Sequence, residues 1–486
     1  MTKLKSFLFQ NKSTGQTIAK NTFWLTANQV FGRLIKAGLI IYAARVLGTT
    51  GYGVFSYALS LALLFSIIAD MGVGALLTRN LSVDGKMQKS LIATSLVIKL
   101  AMMLISVLAI LFVAPLFTKI TDAVSLLPII AVLVIFDATR EFFISINRAT
   151  QRMELEVVIY ILTNIFIVVG GIVALTFFGT SHALFIAYTV GSGLGLLTAI
   201  LMFGKHLSKI WGAFEKSLIS KIIRESWPYA LLGLMGIIMV NTDIVMLGFF
   251  RETSEVGLYS AAQRPIAVLY SIPALIAGAY LPAITKLVNR DDALLRRLLE
   301  KTIAVTLLAG IPIALGGITV GDDLIKLVFG AQYAGAAFAF RALLSTLLIV
   351  FPSMIISSTV FAYNKQRSFI GLLLLGIIGN VVFNLLLIPR YGINGSAFAT
   401  IGAELLANTF IWLKMKKINH FTVLPHLKKI VPAALVMVSL TMAMQAVNVN
   451  LLVNVALSAI IYFTLLLIFK EPLIGTAKRL VSGQQK

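Results

Sequence analysis

The chain has 486 residues, 59% hydrophobic and 12% charged, and a mean hydropathy of +0.95. A soluble domain carries roughly 25% charged residues, so a soluble class is excluded and a polytopic membrane protein is indicated. The absence of cysteine excludes disulfides, thiolate metal sites and cysteine catalysis, and the net charge of +22 is explained by basic short loops before any nucleic-acid partner is needed.

Residues 1–22 are polar and basic (Lys3, Lys5, Lys12, Lys20), with no apolar core of signal-peptide length. A span needs roughly 20 mostly apolar residues. The first is expected over 24–46 and includes Arg33, Lys36 and Arg45 without an acid. Gln29, Arg33 and Lys36 share one helical face, at spacings of four and three. At 1.5 Å per residue Arg33 lies about 13 Å and Lys36 about 18 Å from the inner end. A cation at such depth costs roughly 2.5–3.5 kcal/mol on insertion scales, so both call for a partner. Arg45, at the outer end, reads as a snorkelling or capping residue.

The second span, 53–78, carries Asp70 at about 12 Å, near the depth of Arg33. An Arg33–Asp70 pair is the plain structural reading, and it leaves Lys36 without an acid. The third span, 90–114, carries Lys99 at about 13 Å with no obvious local partner, a candidate to line a watery cavity. In the fourth, 124–147, Asp137, Arg140 and Glu141 stand at spacings of three and four and read as a self-neutralising cluster. Spans over 156–178 and 182–204 follow, then a basic linker over 205–225.

The seventh and eighth spans, 226–250 and 257–284, place Asp243 and Arg264 in the outer half. They suit an ion pair between adjacent helices, or Asp243 as a proton or cation site. After 302–320, the tenth span, 335–361, holds Arg341 in its outer third, where it can snorkel. The eleventh, 368–389, holds Asn380 and Asn384 one turn apart, a pattern that glues helices. Glu404 sits mid-span in 394–413 and is a candidate coupling carboxylate. Spans over 427–446 and 449–469 bring the expected number to about fourteen.

The loop charges orient these spans. With a cytoplasmic N-terminus, the even-numbered connections and the termini hold about 30 basic residues, and the outer loops hold only Lys119, Arg251, Lys326 and Arg390. Both termini are therefore expected inside. Every loop is short, and no GxxxxGK[ST] loop or HExxH motif occurs.

An internal repeat crosses the chain. Leu47-Gly48 corresponds to Leu247-Gly248, and Gly53, Ser56 and Ala58 correspond to Gly257, Ser260 and Ala262. A weaker echo relates FFGTSHALFIAYT to RYGINGSAFATIG, matching Gly179 to Gly392 and Phe185 to Phe398. Six helices separate the repeats, an even number, which predicts parallel halves related by an axis along the membrane normal. The excess of deep cations in the first half predicts a cavity that focuses positive potential on an anion. A diphosphate is the strongest candidate, since Arg grips phosphate in bidentate fashion and Lys acts as a point charge.

AARVLGTTGYGVFSYALS (43–60), NTDIVMLGFFRETSEVGLYSAAQR (241–264) and IPRYGINGSAFATIGAE (388–404) resemble corresponding turns of the Wzx-type O-antigen and polysaccharide flippases. These belong to the multidrug/oligosaccharidyl-lipid/polysaccharide exporter superfamily. The resemblance implies an all-α polytopic protein: two six-helix lobes in a V around a central cavity, plus two C-terminal helices. The expected bounds are 1–204 and 226–416 for the lobes, 205–225 for a cytoplasmic linker, and 417–486 for the extra helices and tail. It implies a bacterial inner-membrane protein that works by alternating access. Its substrate would be an undecaprenyl-diphosphate-linked oligosaccharide, moved from the cytoplasmic to the periplasmic leaflet. Polysaccharide polymerase and chain-length machinery would be its partners; no cofactor, metal or nucleic acid is implied. On this reading Gln29, Arg33, Lys36, Lys99 and Arg264 bind substrate. Asp70, Asp137, Arg140, Glu141, Asp243 and Glu404 couple an ion or form ion pairs.

Two readings within the same superfamily stand beside it, a lipid II-type flippase and a multidrug/cation antiporter. Fourteen helices and a cationic first half disfavour the antiporter. A membrane-embedded polymerase or glycosyltransferase is disfavoured by the small outer loops, in which Asp322-Asp323 is the only paired acid.

Overall fold

The computed structural model describes residues 14–84, 89–207, 212–363 and 367–473. Among these residues every regular element is helical. The chain forms two compact units, Met1–Gly257 and Leu258–Lys486.

The first unit contains α1 (Thr14–Asp70), α2 (Val73–Asp84), α3 (Lys89–Leu108), α4 (Thr121–Ser125), α5 (Leu127–Ala149), α6 (Met153–Phe177), α7 (Ser181–Leu207) and α8 (Leu218–Phe250). Helix α9 (Thr253–Leu269) begins in it. The second unit continues with α10 (Ser271–Leu287), α11 (Asp292–Phe329), α12 (Ala337–Leu344), α13 (Leu347–Ala362), α14 (Arg367–Asn419), α15 (Leu424–Leu427), α16 (Ile430–Ala446) and α17 (Leu451–Ile468).

Burial is inverted relative to a soluble protein. Phe112, Leu116, Phe177 and Leu201 are exposed, while Thr94, Ser106, Thr163 and Ser192 are buried and hydrogen-bonded. A hydrocarbon solvent produces this pattern. Apolar side chains lose nothing by facing lipid, whereas polar groups must find partners inside the protein. Each unit still has an apolar core. In the first, Leu76, Leu77, Ile92, Phe142, Phe143, Ile146 and Ile159 pack together. In the second, Ile303, Ile355, Ile411, Met415, Ile430 and Tyr462 do so.

Nine described helices are long and apolar enough to cross a membrane, and a bent pair, Ala331–Leu344 with Leu347–Ala362, raises this to ten. The difference from fourteen has identifiable causes. Helices α1 and α14 each run through two expected spans, interrupted by non-helical backbone at Gly48 and Gly392. The stretch Ile35–Asp70 would measure about 54 Å as a straight helix, far beyond a hydrocarbon core of about 30 Å. Helix α5 carries Asp137, Arg140, Glu141 and Arg148 and is too charged to count as apolar. In α8 only Ile237–Phe250 counts, as a shorter apolar helix.

The repeat-related glycines have physical reasons. A Cβ on Gly53 would sit 2.0 Å from the Thr253 carbonyl oxygen, and one on Gly257 would sit 1.9 Å from that of Thr49. Each glycine thus lets the backbone beside its partner approach, a reciprocal contact that suits two related segments. Gly179 and Gly392 both adopt positive φ, at 59° and 54°, a region that costs an L side chain strain. The pair Gly48 and Gly248 differs. Gly48 breaks α1, whereas Gly248 lies within α8 and admits the Tyr57 ring.

Candidate functional site in the first unit

The site is built around the break between α1 and α2. Asp70 is the last residue of α1, followed by Met71 and Gly72 with φ of 44° and 74°. A Cβ on Gly72 would sit 2.4 Å from the Ser226 carbonyl oxygen, so the break packs directly against the α8 backbone. A helix C-terminus concentrates partial negative charge, and a carboxylate there adds to it. Lys99 of α3 supplies the compensation: its ammonium donates to Asp70 Oδ1.

This pairing corrects one expectation: Lys99 is not an unpaired cavity cation. The expected Arg33–Asp70 pair falls on a side chain outside the described residues. The Lys99 side chain is 1% exposed and that of Asp70 39%, so the buried member is the lysine. Residue counting had already placed both near the same depth. Depth alone did not identify Lys99 as a partner of Asp70, because that depends on the direction in which each helix face points. The side chains of Gln29 and Arg33 lie outside the described residues.

Lys36 stands apart from this pair. Its Nζ donates to the Tyr188 hydroxyl at 3.4 Å and lies 5.6 Å from the Tyr188 ring centroid. Phe55 meets Tyr188 and Phe185 edge-on, each at 6.1 Å between centroids. Lys36 therefore rests on an aromatic wall. Among the described residues no carboxylate lies within ion-pair distance of it. An ammonium has three donors, so one long bond to a phenol leaves capacity for a ligand.

Beside it, the α5 cluster forms as its spacing predicts. Arg140 Nη2 meets Asp137 Oδ1 at 2.7 Å, and Arg140 Nη1 donates to Ser192 Oγ at 2.8 Å. Ser192 Oγ donates to Asp137 Oδ1 at 2.5 Å, closing a triangle between α5 and α7. Glu141 accepts from the Tyr160 hydroxyl, and the Arg140 guanidinium lies 6.0 Å from the Tyr160 ring. Arg140 Nε is buried without a hydrogen-bond partner. Tyr160, Tyr188 and Ser192 were not singled out from sequence. A usable signal existed: Tyr188 and Ser192 are four apart, on one face of an apolar helix.

Lys20 was read as part of a polar tail, yet it is helical, fully buried and bound to Glu154 at 2.8 Å. Arg148 grips Glu156, with Nη2 at 2.6 Å from Oε1 and Nε at 3.0 Å from Oε2. Asp243 is fully buried in the first unit. In the second unit, Arg264 is half-buried and its Nε has no hydrogen-bond partner among the described residues. Arg341, expected to snorkel, pairs with Asp322 at 3.3 Å. Asn384 donates to Asn380 at 3.1 Å and accepts from Ser396 at 3.2 Å, joining the segments on either side of Gly392. Glu404 Oε2 accepts from Asn408 Nδ2 at 2.7 Å.

Comparisons with known proteins bear on this architecture. A family model described as "Polysaccharide biosynthesis protein" matches residues 18–288, more than half of the chain. Two curated relatives come from Haloferax volcanii. The probable low-salt glycan biosynthesis flippase Agl15 is 22% identical over 79% of this chain and 80% of its own length. The probable flippase AglR is 26% identical over 76% and 77%. Among solved structures, lipid II flippase MurJ in an inward closed conformation aligns with a TM-score of 0.76 at 18% identity, covering 92% of this chain and 99% of that one. An inward-facing MATE family multidrug transporter aligns at 0.59 and 14%, covering 82% and 94%. This chain is a multi-pass membrane protein with that fold, and it belongs to the polysaccharide biosynthesis protein family.

Proposed function

We propose that this protein is a secondary transporter that flips an undecaprenyl-diphosphate-linked oligosaccharide, an O-antigen or related surface glycan unit, from the cytoplasmic to the periplasmic leaflet. The observation that carries the reading is Lys36. It is a deep cation on an aromatic wall, without a carboxylate within ion-pair distance among the described residues. A diphosphate is the anion that suits it, because a phosphate oxygen accepts the donors that Tyr188 leaves unused. The family match and the two glycan-flippase relatives support a glycan as cargo.

The proposal extends to topology. The reading has fourteen spans, two six-helix lobes over 1–204 and 226–416, and two further helices, with both termini in the cytoplasm of a bacterial cell. Alternating access moves the headgroup while the polyprenyl tail stays in the bilayer. Gln29 and Arg33 join Lys36 in holding the substrate in the first unit, and Arg264 is assigned to substrate in the second. Asp243 and Glu404 are the acids assigned to coupling. The product is handed to polysaccharide polymerase and chain-length machinery.

The test is flipping of a fluorescent lipid-linked glycan in vesicles. Lys36→Ala removes one charge-assisted bond, worth roughly 1.5–3 kcal/mol, so flipping falls by about 10–100-fold at unchanged protein level. Lys36→Arg retains most activity. Wild-type flipping by Lys36→Ala sinks the role assigned to this residue.

A further inference from the structure

The second unit contains a cavity that the function above does not use. It has a volume of about 340 Å³ and lies between α10, α13 and α14, near the lower end of the roughly 300–1,000 Å³ of small-molecule sites. Ser353, Ser357, Ser358 and Asn408 supply its polar lining, and Leu281 and Met354 are among its apolar walls. Gly278 leaves it room: a Cβ there would meet nothing within 4 Å.

The hydrogen-bond inventory of this lining is one-sided. Asn408 Nδ2 donates to the Glu404 carbonyl at 2.8 Å and to Glu404 Oε2 at 2.7 Å. The backbone carbonyl is a pure acceptor, so the nitrogen must face it, and with the second bond to the Glu404 carboxyl oxygen its two hydrogens are spent. The polar atom that Asn408 has left is Oδ1, an acceptor. Ser358 Oγ donates to the Met354 carbonyl at 3.0 Å, so it too has only lone pairs to offer. Ser353 and Ser357 can accept or donate. Among the described residues no cation lines the cavity, and the Glu404 carboxylate stands behind Asn408.

Such a site repels phosphate and matches a ligand that is uncharged, rich in O–H and N–H donors, and faced with C–H groups. A sugar ring has this chemistry. We propose that the Ser353–Ser357–Asn408 cavity holds one uncharged sugar ring of the glycan. The proposal rests on the flippase reading and adds to it a sugar subsite within the second unit.

The experiment uses the full-length protein in nanodiscs. The probes are undecaprenyl diphosphate, bare or carrying a single glucose, galactose or N-acetylglucosamine. The wild type is expected to bind at least one glycosylated probe about tenfold more tightly than the bare lipid, the worth of one good hydrogen bond. Gly278→Leu fills the cavity from a position with room for a side chain, and Asn408→Leu removes the acceptor. Each is expected to erase the preference while leaving affinity for the bare lipid unchanged, which also reports that the variant is folded. Preference retained in Gly278→Leu and Asn408→Leu, or absent from the wild type, overturns the sugar subsite alone. A wild type that binds neither the bare nor any glycosylated lipid overturns the flippase reading, and the subsite with it.

Discussion

At the residue scale, the structure separates cations that the sequence could only count. The spans of the first half of the chain carry Arg33, Lys36, Lys99 and Arg140 as well as Asp70, Asp137 and Glu141. Lys99 and Arg140 are held by acids, whereas Lys36 has no carboxylate within ion-pair distance among the described residues. The two members of the Lys99–Asp70 pair differ in burial, and this makes their removal unequal. Asp70→Asn leaves a buried ammonium without its counter-ion, a change that costs about 3–5 kcal/mol in buried pairs. Lys99→Met leaves a carboxylate that is partly exposed rather than buried and costs less. Thermal unfolding of the detergent-solubilised protein should show a clearly larger loss for Asp70→Asn. Equal losses would mean that Lys99 is not the desolvated partner. Part of this was legible. The i, i+3 spacing of Asp137 and Arg140 predicted their pair, because one helix fixes both ends. The Lys99 pair was not, because it joins two helices whose rotations the sequence leaves open.

At the element scale, glycines mark where helices break or touch. The reciprocal approach at Gly53 and Gly257 leaves no room for a methyl group, since the obstructing atoms are backbone oxygens that cannot rotate away. Gly53→Ala and Gly257→Ala should therefore abolish monodisperse protein in size-exclusion chromatography. Gly38, where a Cβ meets nothing within 4 Å, is a matched control. Gly38→Ala should be neutral or stabilising by up to about 1 kcal/mol, the usual helix-interior difference. The repeat was readable as Leu-Gly and Gly-x-x-Ser matches. That Gly53 and Gly257 would meet each other was not readable, because a repeat fixes similarity and not contact. The π-helical turn at Ala109–Val113 has a local cause, since Pro115 has no N–H to give Leu111. The α1–α2 break at Met71-Gly72 has none so plain. Its requirement comes from the α8 backbone lying against Gly72.

At the scale of the whole molecule, topology is the quantity to test. The chain has no cysteine, so single cysteines report accessibility without a modified background. Lys119→Cys, Arg251→Cys and Arg390→Cys should react with a membrane-impermeant maleimide added outside intact cells. Arg152→Cys, Arg290→Cys and Lys416→Cys should react only after permeabilisation. One missed or surplus span would reverse every position beyond it. Composition, hydropathy period and basic loops determined by themselves that this is a multi-pass helical protein, because the bilayer demands long apolar helices regardless of how they pack. Deep charge was equally plain in the sequence. Only the tertiary structure decided which charge meets which: Lys99 with Asp70, Lys20 with Glu154, Lys36 with Tyr188. Partner choice depends on the rotation and crossing of helices far apart in sequence, and the pattern along one helix does not encode them.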